Sequence, residues 1–174
     1  MDSNPTSQQG LTLVEAAVVV AIVAISVTAA VPSLQRLLEQ RRLDAAASEL
    51  AATLQLARNE SIARNRVVRF AHDEINGCHL LHPGAAGACR CTPQGGGECA
   101  SGATLIRSAG STTGIAIQGN AASLAFDPLH GTVTPTATWR VSARDGRAIH
   151  HVINVMGRVR SCSPDAAVPG YAAC

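Results

Sequence analysis

Lysine is missing from this chain: all fourteen basic residues among its 174 are arginine. Aromatics are nearly as scarce, with Phe70, Phe126, Trp139 and Tyr171 the complete set. The first absence removes the lysine that a phosphate-binding loop requires. The glycine run "QGGGE" (residues 94–98) also lacks a strand–loop–helix context, so it reads as a flexible loop. The second absence removes the ring platforms on which single-strand nucleic-acid binders stack bases. A strong charge excess is missing too, and a net charge of +2 is too small to imply a polyanionic partner by itself. No Ser/His/Asp or paired-carboxylate constellation can be placed, so the chain reads as a non-enzyme without cofactor. His150 and His151 are adjacent in a strand pattern and point to opposite faces, where they cannot easily share a ligand.

What is present is organised in three stretches. Residues 1–10, "MDSNPTSQQG", are polar and carry no helix signal. From Leu11 to Val31 the only charge is Glu15. As a helix that run would measure about 31 Å, just enough to cross a hydrocarbon core. A carboxylate near its start is costly unless it is paired or has a task. Pro32 follows inside the helical pattern and predicts a kink rather than an end. The next stretch, "SLQRLLEQRRLDAAASELAATLQLARNESIARN", is strongly helical in composition. Leu43, Ala47, Leu50, Leu54 and Ala57 follow the rhythm of one buried stripe, with Arg41, Arg42, Asp44, Glu49 and Arg58 largely off it. One helix is therefore expected from about Thr12 to Arg64, far longer than the usual soluble helix.

After Asn65 the pattern changes to short runs with turn punctuation. Strands are expected at Val67–Phe70, His79–Leu81, Thr104–Arg107, Ile115–Ile117, Ser123–Phe126, Thr138–Ser142, Ala148–Val155 and Val159–Cys162. Asp145-Gly146 sits where a tight hairpin turn belongs. The stretch between Pro83 and Gly102 has no periodicity and reads as a loop stapled rather than packed. The resulting class is α+β, one long helix whose amphipathic half lies on antiparallel sheet. The expected divisions are 1–10, 11–33, 34–65 and 66–174.

Six cysteines, Cys78, Cys89, Cys91, Cys99, Cys162 and Cys174, all fall in the second half among Gly, Pro and Ser. An even set behind an export-like segment reads as disulfides in an oxidising compartment. The metal alternative, "CRCTPQGGGEC" with His79 and His82 nearby, lacks the paired C-x-x-C of zinc ribbons, so no metal is expected. Three disulfides are expected. Cys162 with Cys174 is the first choice, because it closes a short loop rich in Pro and Gly. The other four form two bridges, with Cys89 and Cys91 each reaching outside the strained C-x-C.

The "QQG/LTLVE" boundary, the apolar run and Pro32 together resemble the N-terminus of type IV pilins and pseudopilins. The resemblance implies a type IV pilin fold, cleavage by prepilin peptidase between Gly10 and Leu11, and methylation of the new terminus. It also implies that Glu15, fifth in the mature chain, faces the terminal amine of a neighbouring subunit in a filament, where opposite charges buried together cost less than either alone. Leu11 stands where the family usually has phenylalanine. Residues 1–10 carry no basic residue, whereas Arg36, Arg41 and Arg42 follow the apolar run. The positive-inside rule would put the globular part in the cytoplasm. The cysteines and the cleavage motif put it in the periplasm on a single inner-membrane span, and later on an extracellular pilus. A basic leader segment upstream is expected.

Further on, "RRLDAAASELAATLQLARNESIARNRVVRF" is similar to the FimT/GspH branch of that family, and "VMGRVRSC" resembles the end of its FimT-type minor pilins. In that type a Gly-Arg-x-Arg motif is linked to DNA capture during natural transformation, and Gly157, Arg158 and Arg160 occupy it here. The chemistry also stands without the family. In an extended segment Arg158 and Arg160 project from one face, about 7 Å apart, matching adjacent phosphates of one strand. Gly157 removes a side chain where a phosphate would approach. Arg140, Arg144 and Arg147 on the preceding hairpin would widen the patch. The expected partners are thus other pilin subunits, prepilin peptidase, the inner membrane before assembly, and DNA bound through its backbone. A GspH-type structural pseudopilin of a type II secretion system, with no DNA role, is the alternative.

Overall fold

The computed structural model describes residues 12–110 and 112–174. The expected cleavage site, Gly10 and Leu11, lies outside them. One helix, α1, runs Leu13–Arg64 without interruption at Pro32. Its start has a local cause: the Thr12 hydroxyl accepts the Glu15 backbone N–H at 3.2 Å, and Ala16 N–H donates to the Thr12 carbonyl at 3.1 Å. "TLVE" is thus the Ser/Thr-x-x-Glu pattern of a helix start, with a carboxylate in the first turn where the helix dipole favours it. Two compact units divide at Leu38 and Glu39. Up to Leu38, α1 exposes its apolar residues, among them Val20, Ile25 and Leu34. Among the described residues it is the one helix long and apolar enough to cross a membrane.

The second unit, Glu39–Cys174, carries all the strands: β1 Val68–Asp73, β2 Cys78–Pro83, β3 Cys89–Cys91, β4 Gly97–Cys99, β5 Arg107–Gly110, β6 Ile115–Gly119, β7 Ser123–Phe126, β8 Val133–Thr134, β9 Ala137–Ala143, β10 Ala148–Ile153 and β11 Val159–Cys162. They form two main antiparallel sheets, ordered β5-β2-β1-β7-β8 and β11-β10-β9-β6, and a small β3-β4 hairpin. Leu43, Ala47, Leu50, Leu54 and Ala57 of α1 are fully buried in one core with Phe70, Phe126, Trp139, Val141, Ile149 and Ile153. At about 1.5–3 kcal/mol for each large apolar side chain, that stripe accounts for much of what holds the helix to the sheets. Arg107 of β5 adds an ion pair to Glu49 of α1 at 3.2 Å.

Several elements differ from the sequence expectation. The strand placed at Thr104–Arg107 lies instead at Arg107–Gly110, and Ile106 N–H donates to the Leu81 carbonyl as the chain enters the sheet. The two-residue β8 is too short to show any period. The Gly/Cys stretch is packed as well as stapled: β3 and β4 pair across it, and Cys78, Leu80, Cys89 and Cys91 form a second buried cluster with Leu105 against it. The disulfides join Cys78–Cys91, Cys89–Cys99 and Cys162–Cys174. Three-residue strands carry too few side chains to alternate legibly, and covalent links hold them where periodic burial cannot.

Candidate nucleic-acid interface

The β11-β10-β9-β6 sheet presents its inner face to α1 and its outer face to solvent. Direct partners share a face, so register assigns the outer positions: Val152 opposite Arg160 and Thr138, and His150 opposite Cys162 and Arg140. Arg140 in turn lies opposite Gln118. Arg158, Arg160 and Arg140 are exposed, and none has a carboxylate within ion-pair distance among the described residues. No acidic residue occupies an outward strand position of this sheet. His150, beside them, is pushed toward the neutral form by burial and by the Arg140 charge.

A tight turn sets the two motif arginines. Gly157 N–H donates to the Asn154 carbonyl at 2.9 Å, Arg158 N–H donates to Asn154 Oδ1 at 3.0 Å, and Asn154 N–H donates to the Arg158 carbonyl at 3.3 Å. β10 therefore ends at Ile153, two residues before the sequence expectation. "NVMG", with Asn opening and Gly closing four residues between two strands, carries that turn signature. Arg158 lies between this turn and β11, and Arg160, two residues on, holds an outward position of β11 opposite Val152. Arg140 lies across β10 from Arg160, about 12 Å distant by strand spacing and rise.

The other candidates are not brought together. Arg144 and Arg147 sit in the β9–β10 turn, at the opposite end of β10 and about 20 Å from Arg158. Arg147 is also engaged: its guanidinium pairs with Asp145 at 2.7 Å and reaches Gln40 of α1 at 3.5 Å. Asp145 is held below the usual carboxylate range by that Arg147 bond.

Gly157 has a different task from the one its place in the motif suggests. It is buried, with φ +69°, and a Cβ there would stand 2.6 Å from the Gly131 carbonyl oxygen and 3.1 Å from Arg58 Cδ. Its empty side is filled by the protein, not left open to a phosphate. Arg58 Nε donates to that same Gly131 carbonyl at 3.1 Å, so helix end, β7–β8 turn and motif turn meet at one point. Arg58, Gly131 and Asn154 are thus supporting residues that the sequence pattern alone did not single out. We expect Gly157→Ala to lower stability by about 2 kcal/mol or more through the left-handed backbone and the steric overlap. An unchanged unfolding temperature would refute this packing role.

A family model described as type II transport protein GspH matches residues 46–157, more than half the chain. The chain belongs to the GspH family. A second model, the prokaryotic N-terminal methylation motif, matches residues 5–31 and so includes Glu15 and the apolar run. This GspH-family protein has the fold of solved pilin-like structures. The minor pilin FimU of Pseudomonas aeruginosa matches with TM-score 0.54 at 22% identity, over 76% of this chain and 96% of that one. The minor pseudopilin EpsH of Vibrio cholerae matches with TM-score 0.53 at 14% identity, over 71% and 98%. No curated protein matches the chain. The fold is α+β and pilin-like, and the family is one of pilin and pseudopilin subunits rather than enzymes. Membership implies assembly with other pilin subunits, and the methylation motif implies processing by a prepilin peptidase.

Proposed function

We propose that this chain is a minor type IV pilin, in or at the tip of a pilus, that binds extracellular DNA without sequence preference for uptake in natural transformation. The observation that carries the reading is the pair Arg158 and Arg160, exposed, two residues apart at the start of β11 and without a carboxylate in ion-pair distance among the described residues. Arg140 extends the face. Arg144 and Arg147 lie too far away to belong to the same contact. Exposed rings for stacking are absent there, so binding runs through phosphates, is weakly selective and falls with salt. The test is a titration of duplexes of unrelated sequence with the detergent-solubilised chain between 50 and 200 mM salt. Affinity that is sequence-independent and salt-dependent supports the reading; no binding at 50 mM overturns it.

A second reading, a structural pseudopilin of a type II secretion system that binds no DNA, draws on the description of the family model and on the EpsH likeness. The titration separates the two. In either machine, prepilin peptidase cuts after Gly10, the apolar helix holds the chain once across the inner membrane, and the globular part lies in the periplasm before assembly. Glu15 then neutralises the terminal amine of a neighbour. Glu15→Ala leaves cleavage at Gly10–Leu11 intact by mass spectrometry and lowers the protein recovered in sheared filaments. Recovery equal to the parent would remove that role.

A further inference from the structure

Arg66 lies between α1 and β1, and Arg69 is the second residue of β1. They line a crevice of about 620 Å³ between the outer face of β1 and the stapled loop, together with Gly84, Ser101, Gly102 and Thr104. Arg69 Nε donates to the Gly84 carbonyl at 2.9 Å, which fixes the guanidinium over the loop with its remaining N–H groups unassigned. Neither arginine has a carboxylate within ion-pair distance among the described residues, and no carboxylate lines the crevice. Two guanidiniums, two hydroxyls and glycine backbone form a donor set without an acidic acceptor, which suits a phosphodiester.

The crevice and the motif turn occupy one end of the unit. Val68 of β1 lies opposite Phe126 of β7, Phe126 lies opposite Val133 of β8, and Val133 N–H donates to the Val155 carbonyl of the motif turn at 2.9 Å. Three interstrand steps separate β1 from Val155 of that turn, about 14 Å, and the crevice lies on the β2 side of β1, beyond that span. The two clusters therefore stand more than about four base-pair steps apart at the axial rise of a duplex strand. Between the two clusters stands Arg58, held on Gly131. The acids near that end are engaged: Glu60 pairs with Arg64, and Asp127 accepts the backbone N–H groups of Leu129 and His130, both at 3.0 Å.

We infer that the Arg66–Arg69 crevice is a second phosphate site, which takes the backbone of the same duplex that Arg158 and Arg160 hold, more than about four base pairs along. This rests on the DNA reading above, and the experiment keeps the two apart. The detergent-solubilised chain is titrated with one 12-base-pair duplex across 50–200 mM salt, as parent, R66Q, R66Q/R69Q and R158A/R160A. Two lost contacts should make the slope of log K against log salt shallower by about 1.8, at about 0.9 per phosphate. Affinity lost over that salt range then shrinks by about tenfold for R66Q/R69Q. R66Q leaves the Arg69–Gly84 bond untouched and should lower the slope by about 0.9, so a folding defect at Arg69 cannot imitate the result. R66K/R69K should restore most of the slope, because charge rather than shape is required. A parent that binds while R66Q and R66Q/R69Q keep its slope overturns the crevice and leaves the motif reading standing. A parent that binds no duplex overturns both.

Discussion

Replacing Arg158 and Arg160 together by alanine should reduce the proposed DNA binding to background while the protein stays folded. A backbone-only binder begins weak, with Kd of about 10⁻⁴–10⁻⁶ M at physiological salt, so little affinity can be lost before detection fails. Each guanidinium–phosphate contact is worth about 1.5 kcal/mol or more, roughly a factor of ten. Single substitutions should therefore weaken binding about tenfold each, and the pair about a hundredfold. Both side chains are exposed, so their truncation removes little packing. Arg160 is nonetheless only two residues from Cys162, whose bridge to Cys174 closes the C-terminal loop. Thiol counting and the unfolding temperature must match the parent before the loss is read as binding. Arg147→Ala supplies the contrast: its charge is already spent on Asp145, so DNA affinity and salt slope stay at parental values. If the folded double variant binds as the parent does, the structural pseudopilin becomes the better account.

Acid should destabilise the globular unit well above the range where carboxylates protonate. His79 and His151 are buried and neutral, each lowered from the ordinary 6.5 to about 4, first of all by loss of water. Around His79, Glu49 pulls toward protonation while His72 and Arg107 oppose it. Around His151, the Ala47 carbonyl favours the proton and His150 disfavours it. The unfolded chain takes up these protons near pH 6.5 and the folded chain only near pH 4. Stability is thus fully present above pH 6.5 and declines as pH falls toward 4, by about 3 kcal/mol per histidine as an order of magnitude. Two such groups rival much of the 5–15 kcal/mol by which domains are stable. Asp73, Asp127 and Asp145 have carboxyls held below the usual range, so their contribution is lost only beneath about pH 4. The window between 6.5 and 4 belongs to the imidazoles. Trp139, the single tryptophan, is fully buried 5.2 Å from Phe70 and reports unfolding by fluorescence. The denaturant midpoint should drop steeply from pH 7.5 to 4.5, and His79→Gln with His151→Gln should flatten the profile. A parental midpoint that stays constant over that range would refute the assignment.

Which features were legible before any coordinates follows from how far their causes reach along the chain. The α1 stripe could be read because five apolar residues at helical spacing must face one way, whatever covers them. A common face for Arg158 and Arg160 is an expectation of the same kind, from the period of an extended chain. β7 and β11 fall where alternation placed them, at Ser123–Phe126 and Val159–Cys162. β3, β4 and β8 were hidden because two or three residues contain no period. At Glu15 the sequence prompted a long-range explanation, a neighbour's amine, and overlooked a short-range one, the Thr12 cap three residues away.

By itself, then, the sequence determined what depends on neighbours within a few residues: the long helix, its apolar and amphipathic halves, and the methylation-type N-terminus. Tertiary structure decided what depends on residues far apart in the chain. It selected one pairing of the two left open to Cys78, Cys89, Cys91 and Cys99, since register between β3 and β4 sets Cys89 opposite Cys99. It tied Arg147 to Asp145 and Gln40, and left Arg158, Arg160 and Arg140 without a carboxylate in ion-pair distance among the described residues. It also turned Gly157 from an opening for a ligand into a contact with Gly131 and Arg58, the latter 99 positions earlier in the sequence. Local periodicity carries no information about such contacts, because the free energy that fixes them is gained only when the whole core closes.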